Sequence, residues 1–256
     1  MKAYKAYFID LDGTMYRGKE AIPEAKEFIR QLQENQAPYL FVTNNSSRTR
    51  MKTVENLKKH GIEAKEEQVL TPSIAAANYI KQNDPHATVY FIGEKGVEDA
   101  LRSEGVELTT KNPDYVVVGI DRHNSYKKIK DACLHIQNGA KFLATNPDIR
   151  VPTEEGFVPG NGAYVNLIKE VTKTEPIIVG KPDRLMIDVA LKELNVEPSD
   201  AIMVGDNYET DIKAGIRAGL DTLHVQTGVT SKEDLKDVEV QPTYSLATLA
   251  EWQVNV

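Results

Sequence analysis

The sequence predicts an α/β fold, a doubly wound parallel sheet of Rossmann-like type, and three observations carry that expectation. Strand-like and helix-like segments alternate along all 256 residues. The strand-like runs are short, rich in β-branched and aromatic residues, and apolar throughout, as strands covered on both faces must be. Charged residues gather directly behind several of them, where loops at the carboxyl edge of such a sheet converge.

Taken in order, YFIDL reads as the first strand. A helix follows, with Pro23 near its start and Ala25, Phe28, Ile29 and Leu32 at amphipathic spacing. PYLFVTN is the second strand and TRMKTVENLKKHG the next helix, closing on Gly61 in the stop position. TVYFIG, YVVVGID, KFLATN, PIIVG, AIMVGD and DTLHVQTG continue the strands. The middle of the chain holds enough strands and helices for a small α/β unit of its own. Its borders fall at the helix SIAAANYIKQNDP and the segment KTEP, each ending in proline. The expected division is therefore a discontinuous core, 1–79 with 180–256, and an inserted domain, 80–179. No low-complexity linker and no solenoid-period repeat interrupts it.

Composition narrows the class. With 41% hydrophobic and 27% charged residues the chain is of ordinary globular type. A net charge of −7 argues against a nucleic-acid polymer as partner, because neutralising phosphates takes a basic face. Local cations could still bind a small anion. The single cysteine, Cys133, excludes an internal disulfide or a cysteine-based zinc cluster, and in DACLHIQ it reads as a small buried hydrophobe. His60, His86, His135 and His224 show no metal-like spacing, and Trp252 reads as packing. No apolar stretch approaches the roughly 20 residues of a membrane span. No secretory signal precedes the first strand, so a cytoplasmic enzyme or binding protein is expected.

Function is carried by the strand ends. Asp10 and Asp12 follow the first strand, and Thr43 to Ser46 (TNNS) follow the second. Lys181 follows PIIV in GKP, and Asp206, Asn207 and Asp211 follow AIMV in GDNYETD. Singly, each reads as an ordinary turn or helix cap. In this order, each at a strand end and all outside the middle third, they read as one site. DLDGT, TNNS, GKP and GDNYETD together resemble the four motifs of the haloacid dehalogenase superfamily. The insertion between the second and third motifs, with ATNPD inside it, looks like the type IIA cap of NagD-like phosphatases. That group includes phosphatases of sugar phosphates, nucleotides, para-nitrophenyl phosphate and phosphoglycolate.

The chemistry fits. An anionic nucleophile approaching an anionic phosphate needs a divalent cation between them, and an all-oxygen ligand set points to Mg²⁺. Asp10 is the candidate nucleophile, forming an aspartyl-phosphate. Asp12, two residues on, is the candidate acid and then base, a role that calls for a raised pKa. By resemblance, Mg²⁺ is held by the Asp10 carboxylate, the Asp12 carbonyl and Asp206, with Asn207 and Asp211 behind them. The resemblance also implies that Thr43, Asn44 and Lys181 bind the phosphate. A carboxylate at Asp12 separates the chain from haloacid dehalogenases, which lack one there, and from P-type ATPases, which carry threonine. A phosphatase of small phosphomonoesters is the expected function. A phosphotransferase or phosphomutase on sugar phosphates, and a non-catalytic phosphate-binding module, are the rivals. Within the cap, Arg122, Asn146 and Asp148 are the candidate contacts to a small phosphorylated metabolite, with Asp121, His123 and Asn161 as neighbours of interest. The cap sheet also offers a surface through which copies could pair as a homo-oligomer.

Overall fold

The computed structural model describes residues 2–153 and 155–255. β1 (Ala6–Ile9) leads through a small hairpin, β2 (Tyr16–Arg17) and β3 (Glu20–Ala21), into α1 (Pro23–Glu34). β4 (Tyr39–Val42), α2 (Arg50–Lys59), β5 (Val69–Leu70) and α3 (Pro72–Asn83) follow. Next come β6 (Thr88–Ile92), α4 (Lys95–Ser103), β7 (Glu107–Leu108), β8 (Tyr115–Val118), α5 (Tyr126–Gln137) and β9 (Lys141–Ala144). A hairpin of β10 (Arg150–Thr153) and β11 (Gly156–Pro159) precedes α6 (Asn161–Thr172), β12 (Ile177–Ile178) and α7 (Leu185–Leu194). The chain ends through β13 (Ala201–Gly205), α8 (Lys213–Ala218), β14 (Asp221–Val225) and β15 (Tyr244–Leu246).

Local chemistry accounts for the elements. α1 begins with Pro23 in its first turn, where the missing N–H costs nothing, and buries Ala25, Phe28, Ile29 and Leu32. α3 starts on Thr71, whose hydroxyl accepts from the Ile74 amide, and its first half, with Ala75, Ala76 and Ala77, lies buried. β1, β4, β8 and β13 are buried at every position, as apolar runs covered on both faces should be.

The chain divides into two compact units. The first comprises the residues through Thr43, Met51–Leu70, and those from Lys181 on. Its sheet is entirely parallel, in the order β5-β4-β1-β13-β14-β15, so that the strand order reverses between β1 and β13. Phe28, Phe41, Tyr7 and Trp252 belong to its core. The second comprises Asn44–Arg50 and Thr71–Gly180. Its sheet, also parallel, runs β7-β6-β8-β9-β12 and reverses between β6 and β8. Cys133 is a buried member of its core, beside Ile136 and Phe142. The observed boundary thus lies ahead of α3, at Leu70, whereas the expected one, after residue 79, falls inside that helix. The short stretch Asn44–Arg50 also goes with the second unit. No helix among the described residues is long and apolar enough to cross a membrane.

Candidate active site

The first sheet places its charged loops at the point where its strand order reverses. Ile9 stands opposite Val204, so β1 and β13 end together, and Asp10 and Asp206 emerge side by side. Asp10, Asp206 and Asp211 are buried, and a carboxylate oxygen from each lies within 4.8 Å of the others. Asp211 reaches this group because Tyr208–Ile212 forms one wide π-helical turn, a feature that recurs at functional sites. Asn207 caps that turn: its side chain accepts from the Glu209 amide at 3.0 Å, and its own N–H donates to Asp211 Oδ2 at 3.1 Å.

Lys181, also buried, places its Nζ 2.7 Å from each of Asp10 Oδ1, Asp211 Oδ1 and the Val42 carbonyl. Those three acceptors match the three hydrogens of an ammonium. Thr14 shares one hydroxyl between Asp206 Oδ1 at 3.3 Å and Asp10 Oδ2 at 3.5 Å. The Val229 amide donates to Asp206 Oδ2 at 2.6 Å. Two glycines make this crowding feasible. A Cβ on Gly13, which has φ of +97°, would stand 2.4 Å from the Asp206 carboxylate, and one on Gly228 would stand 1.9 Å from Asp206 Oδ2.

Charge sets the protonation. Burial, then the neighbouring Asp211 charge, pushes the Asp10 carboxyl well above the ordinary range, against the pull of Lys181. Burial and Asp211 likewise push Asp206 up to about 7. Burial alone would lower Lys181, but the Asp10 and Asp211 carboxylates outweigh it and hold the ammonium charged. Three buried carboxylates face one ammonium, so the group carries excess negative charge in largely desolvated surroundings. Such a group is stable only if it takes up protons or a cation. Its donors are all oxygens, which suits a hard divalent ion such as Mg²⁺. Both Asp211 oxygens and Asp206 Oδ2 accept shorter hydrogen bonds, whereas Asp206 Oδ1 takes the long 3.3 Å contact from Thr14, so it is the Asp206 oxygen better placed to ligate.

Asp12 lies outside the buried group. It is exposed, and its Oδ1 accepts from the Gly18 amide at 3.3 Å. Thr43 is buried in the first unit, its N–H donating to the Leu70 carbonyl at 3.3 Å. The chain leaves that unit directly after Thr43. Asn44, in the second unit, donates from its amide to Asp148 Oδ2 at 3.4 Å. Its carbonyl accepts from the Asn146 amide at 2.9 Å. Asn146 and Asp148 therefore sit together, whereas Arg122 is engaged elsewhere, its guanidinium 2.9 Å and 3.0 Å from the two Glu94 oxygens. Sequence reasoning missed Gly228, Val229 and His224. The first two lie in QTGVT behind β14, a fifth strand end with a glycine that carries no charge to draw notice. His224 is fully buried beneath them, and Nε2 faces the Asp206 and Thr230 carbonyls at 3.2 Å and 3.1 Å, so that nitrogen carries the proton.

Comparison with known proteins gives the family and the fold. Residues 7–107 match the family model described as haloacid dehalogenase-like hydrolase, and residues 178–252 match the HAD-hydrolase-like model. The chain is 49% identical over 252 residues to the 5'-nucleotidase YutF of Bacillus subtilis, covering 98% of each protein. It is 46% identical to an acid sugar phosphatase of Staphylococcus epidermidis, covering 97% of this chain and 96% of that one. Among solved structures, a mutant thermostable NPPase from Geobacillus stearothermophilus superposes with a TM-score of 0.93 at 48% identity, over 99% of both chains. NagD of Escherichia coli superposes with a TM-score of 0.93 at 30% identity, over 98% of this chain and 99% of its own.

Proposed function

The chain belongs to the haloacid dehalogenase-like hydrolases, as a phosphoric monoester hydrolase of NagD-like kind, and on that premise we propose a Mg²⁺-dependent phosphatase of small phosphomonoesters that works through an aspartyl-phosphate on Asp10. The observation that supports this reading most is the excess of buried carboxylate over ammonium where the first sheet's strand order reverses. Sugar phosphates, nucleotides and para-nitrophenyl phosphate are the substrate candidates, and the cytoplasm is the proposed setting. The second unit is proposed to serve as the cap over the leaving group.

Bound Mg²⁺ supplies charge neutralisation for the phosphate and the nucleophile, held by Asp10, Asp206 and the Asp12 carbonyl. Lys181 holds Asp10 Oδ1, which fixes the carboxylate plane and leaves Oδ2 to attack phosphorus. As the ester bond breaks, the Asp12 carboxyl gives its proton to the departing alkoxide oxygen. Water then attacks the phosphorus of the aspartyl-phosphate, loses a proton to Asp12, and frees Asp10 and inorganic phosphate. Exposure of Asp12 suits this duty, since it must meet both a leaving group and water. Thr43 contributes a hydroxyl and Asn44 an amide and backbone N–H to the phosphate oxygens. Lys181, its hydrogens already matched by protein acceptors, contributes through its charge and through Asp211 behind it.

The test is turnover of a panel of phosphate esters with and without Mg²⁺. Asp10→Asn should lower phosphate release by at least about 10³-fold. A chelator should abolish release in the parent protein. Retained turnover in the variant would remove Asp10 as nucleophile, and full turnover in chelator would remove the metal role.

A further inference from the structure

Asn146 and Asp148 sit in the cap loop where a leaving group is expected to be read, yet their hydrogen bonds run elsewhere. Asn146 donates both hydrogens of its amide to protein, one to the Asn44 carbonyl at 2.9 Å and one to Asp148 Oδ2 at 2.9 Å. The same Asp148 oxygen accepts from the Asn44 amide at 3.4 Å. Behind them, Asn161 at the start of α6 is buried and holds the Asn146 carbonyl at 3.0 Å, together with the Val118 carbonyl and the Thr145 hydroxyl at 3.1 Å and 3.2 Å. The chain of contacts runs Asn161 to Asn146 to Asn44, with Asp148 clasping both ends of its last link.

We infer that Asp148, with Asn146 and Asn161 behind it, is a positioning residue that fixes Asn44 and so sets the phosphate-binding loop, rather than a contact that selects the ester. Asn44 is covalently next to Thr43, so its backbone direction sets where the Thr43 hydroxyl and the following N–H groups point. A second anchor acts at the same place. Gly180, directly ahead of Lys181, donates its N–H to the Thr145 carbonyl at 2.9 Å, and a Cβ there would come within 2.7 Å of Asn44 Oδ1. The loop end of β9 thus holds the residue after Thr43 and the residue before Lys181. A group that fixes both affects every substrate alike, because phosphate is common to all of them. This inference rests on the phosphate-binding reading of Thr43, Asn44 and Lys181.

The experiment compares Asp148→Ala and Asp148→Asn with the parent on para-nitrophenyl phosphate and on a hexose phosphate, with inorganic phosphate as competing inhibitor. Inorganic phosphate has no leaving group, so its inhibition constant reads the loop alone. Asp148→Ala should lower kcat on both esters by one common factor, between about 10 and 100, the cost of a misplaced catalytic element. The phosphate inhibition constant should rise with it. Asp148→Asn keeps an acceptor oxygen for the two amides and should stay within about threefold of the parent. A loss confined to one ester with phosphate inhibition unchanged would overturn the inference in favour of substrate reading. Equal damage from Asn and Ala, or no effect from either, would overturn it too. Asp10→Asn run alongside separates the two levels: turnover surviving there defeats the proposed function, whereas turnover lost there with Asp148→Ala unaffected defeats only the positioning role.

Discussion

The two units present the same architectural opportunity and use it in opposite ways. Each has an all-parallel sheet whose strand order reverses once, between β1 and β13 in the first and between β6 and β8 in the second. Both reversals open a crevice at the carboxyl edge of the kind that binds ligands. In the first unit the crevice is lined by Asp10, Asp206, Asp211 and Lys181, a buried group that protein contacts leave short of positive charge. In the second, the chain itself fills the crevice. Ser47 O accepts from the Gly96 amide at 3.0 Å, and Ser46 Oγ accepts from the Ile120 amide at 3.3 Å. A Cβ on Gly96 would stand 2.5 Å from the Ser46 carbonyl, so the segment Asn44–Arg50 lies directly on the backbone at the reversal. A switch point is an invitation set by topology, and the side chains decide whether a ligand or a loop accepts it.

The largest effect should come from breaking the charged crevice. Lys181→Met keeps the volume and removes the ammonium from two buried carboxylates. A loss of about 3–5 kcal/mol in urea unfolding is expected, together with loss of turnover. A change as small as the roughly 0–1 kcal/mol of a surface pair would show that the crevice is far wetter than its burial implies. Next in size is a matched pair of methyl insertions. Gly228→Ala and Gly96→Ala each push a Cβ into a wall, at 1.9 Å from Asp206 Oδ2 and 2.5 Å from the Ser46 carbonyl. Each should cost about 1–3 kcal/mol of stability by overpacking. Only Gly228→Ala should raise the Mg²⁺ concentration needed for half-maximal turnover, since only it displaces a candidate ligand. An equal rise in both would erase the distinction between the crevices.

How far this was legible follows from the same contrast. Buried strands announce themselves as apolar runs, and β1, β4, β8, β9, β13 and β14 were readable from YFIDL, PYLFVTN, YVVVGID, KFLATN, AIMVGD and DTLHVQTG. β5 and β15 are two- and three-residue edge strands, VL and YSL, too short to show a period. Asp10, Asp206, Asp211 and Lys181 declared themselves because charge directly after an apolar run is unusual in chemistry, whatever the fold. Val229 acts through its backbone N–H, which every residue but proline possesses, and so left no mark. The assignment of Asn44–Arg50 and α3 to the second unit depends on which sheet each packs against, a long-range fact that helical periodicity does not encode. The alanine-rich α3 therefore marked a border in the sequence without showing on which side of it the helix belongs.

Acid and cation should separate the crevices further, with a smaller effect. Asp206 has a folded pKa near 7 against an ordinary 3.8, so between those values the folded state keeps a proton that the unfolded state has released. Its contribution is therefore fully present below about 3.8 and is lost as pH rises towards 7. His224 runs the other way. Burial holds its imidazole below the ordinary 6.5, so its contribution is present above that value and is lost as pH falls. A divalent cation replaces the Asp206 proton but not the His224 requirement. Added Mg²⁺ should then raise the melting temperature more at pH 8 than at pH 5, with the acid-side decline of His224 unchanged. A gain independent of pH would mean that the cation stabilises the protein somewhere other than the carboxylate group.

The smallest expected effect tests the filled crevice by itself. Ser46 is buried, its hydroxyl accepting from the Ile120 amide and its carbonyl from the Ser73 hydroxyl at 3.1 Å. Ser46→Ala removes the first contact and keeps the second, leaving one amide without its partner at the end of β8. The expected loss is about 1–2 kcal/mol, the desolvation cost of a single unpaired donor. Because the crevice is held by backbone contacts on both sides of Ser46, the segment should stay seated and the Mg²⁺ dependence of turnover should not move. A loss several times larger, read by the same urea titration, would mean that this one hydroxyl secures the whole segment. The second unit's crevice would then be a latch rather than a continuous seam.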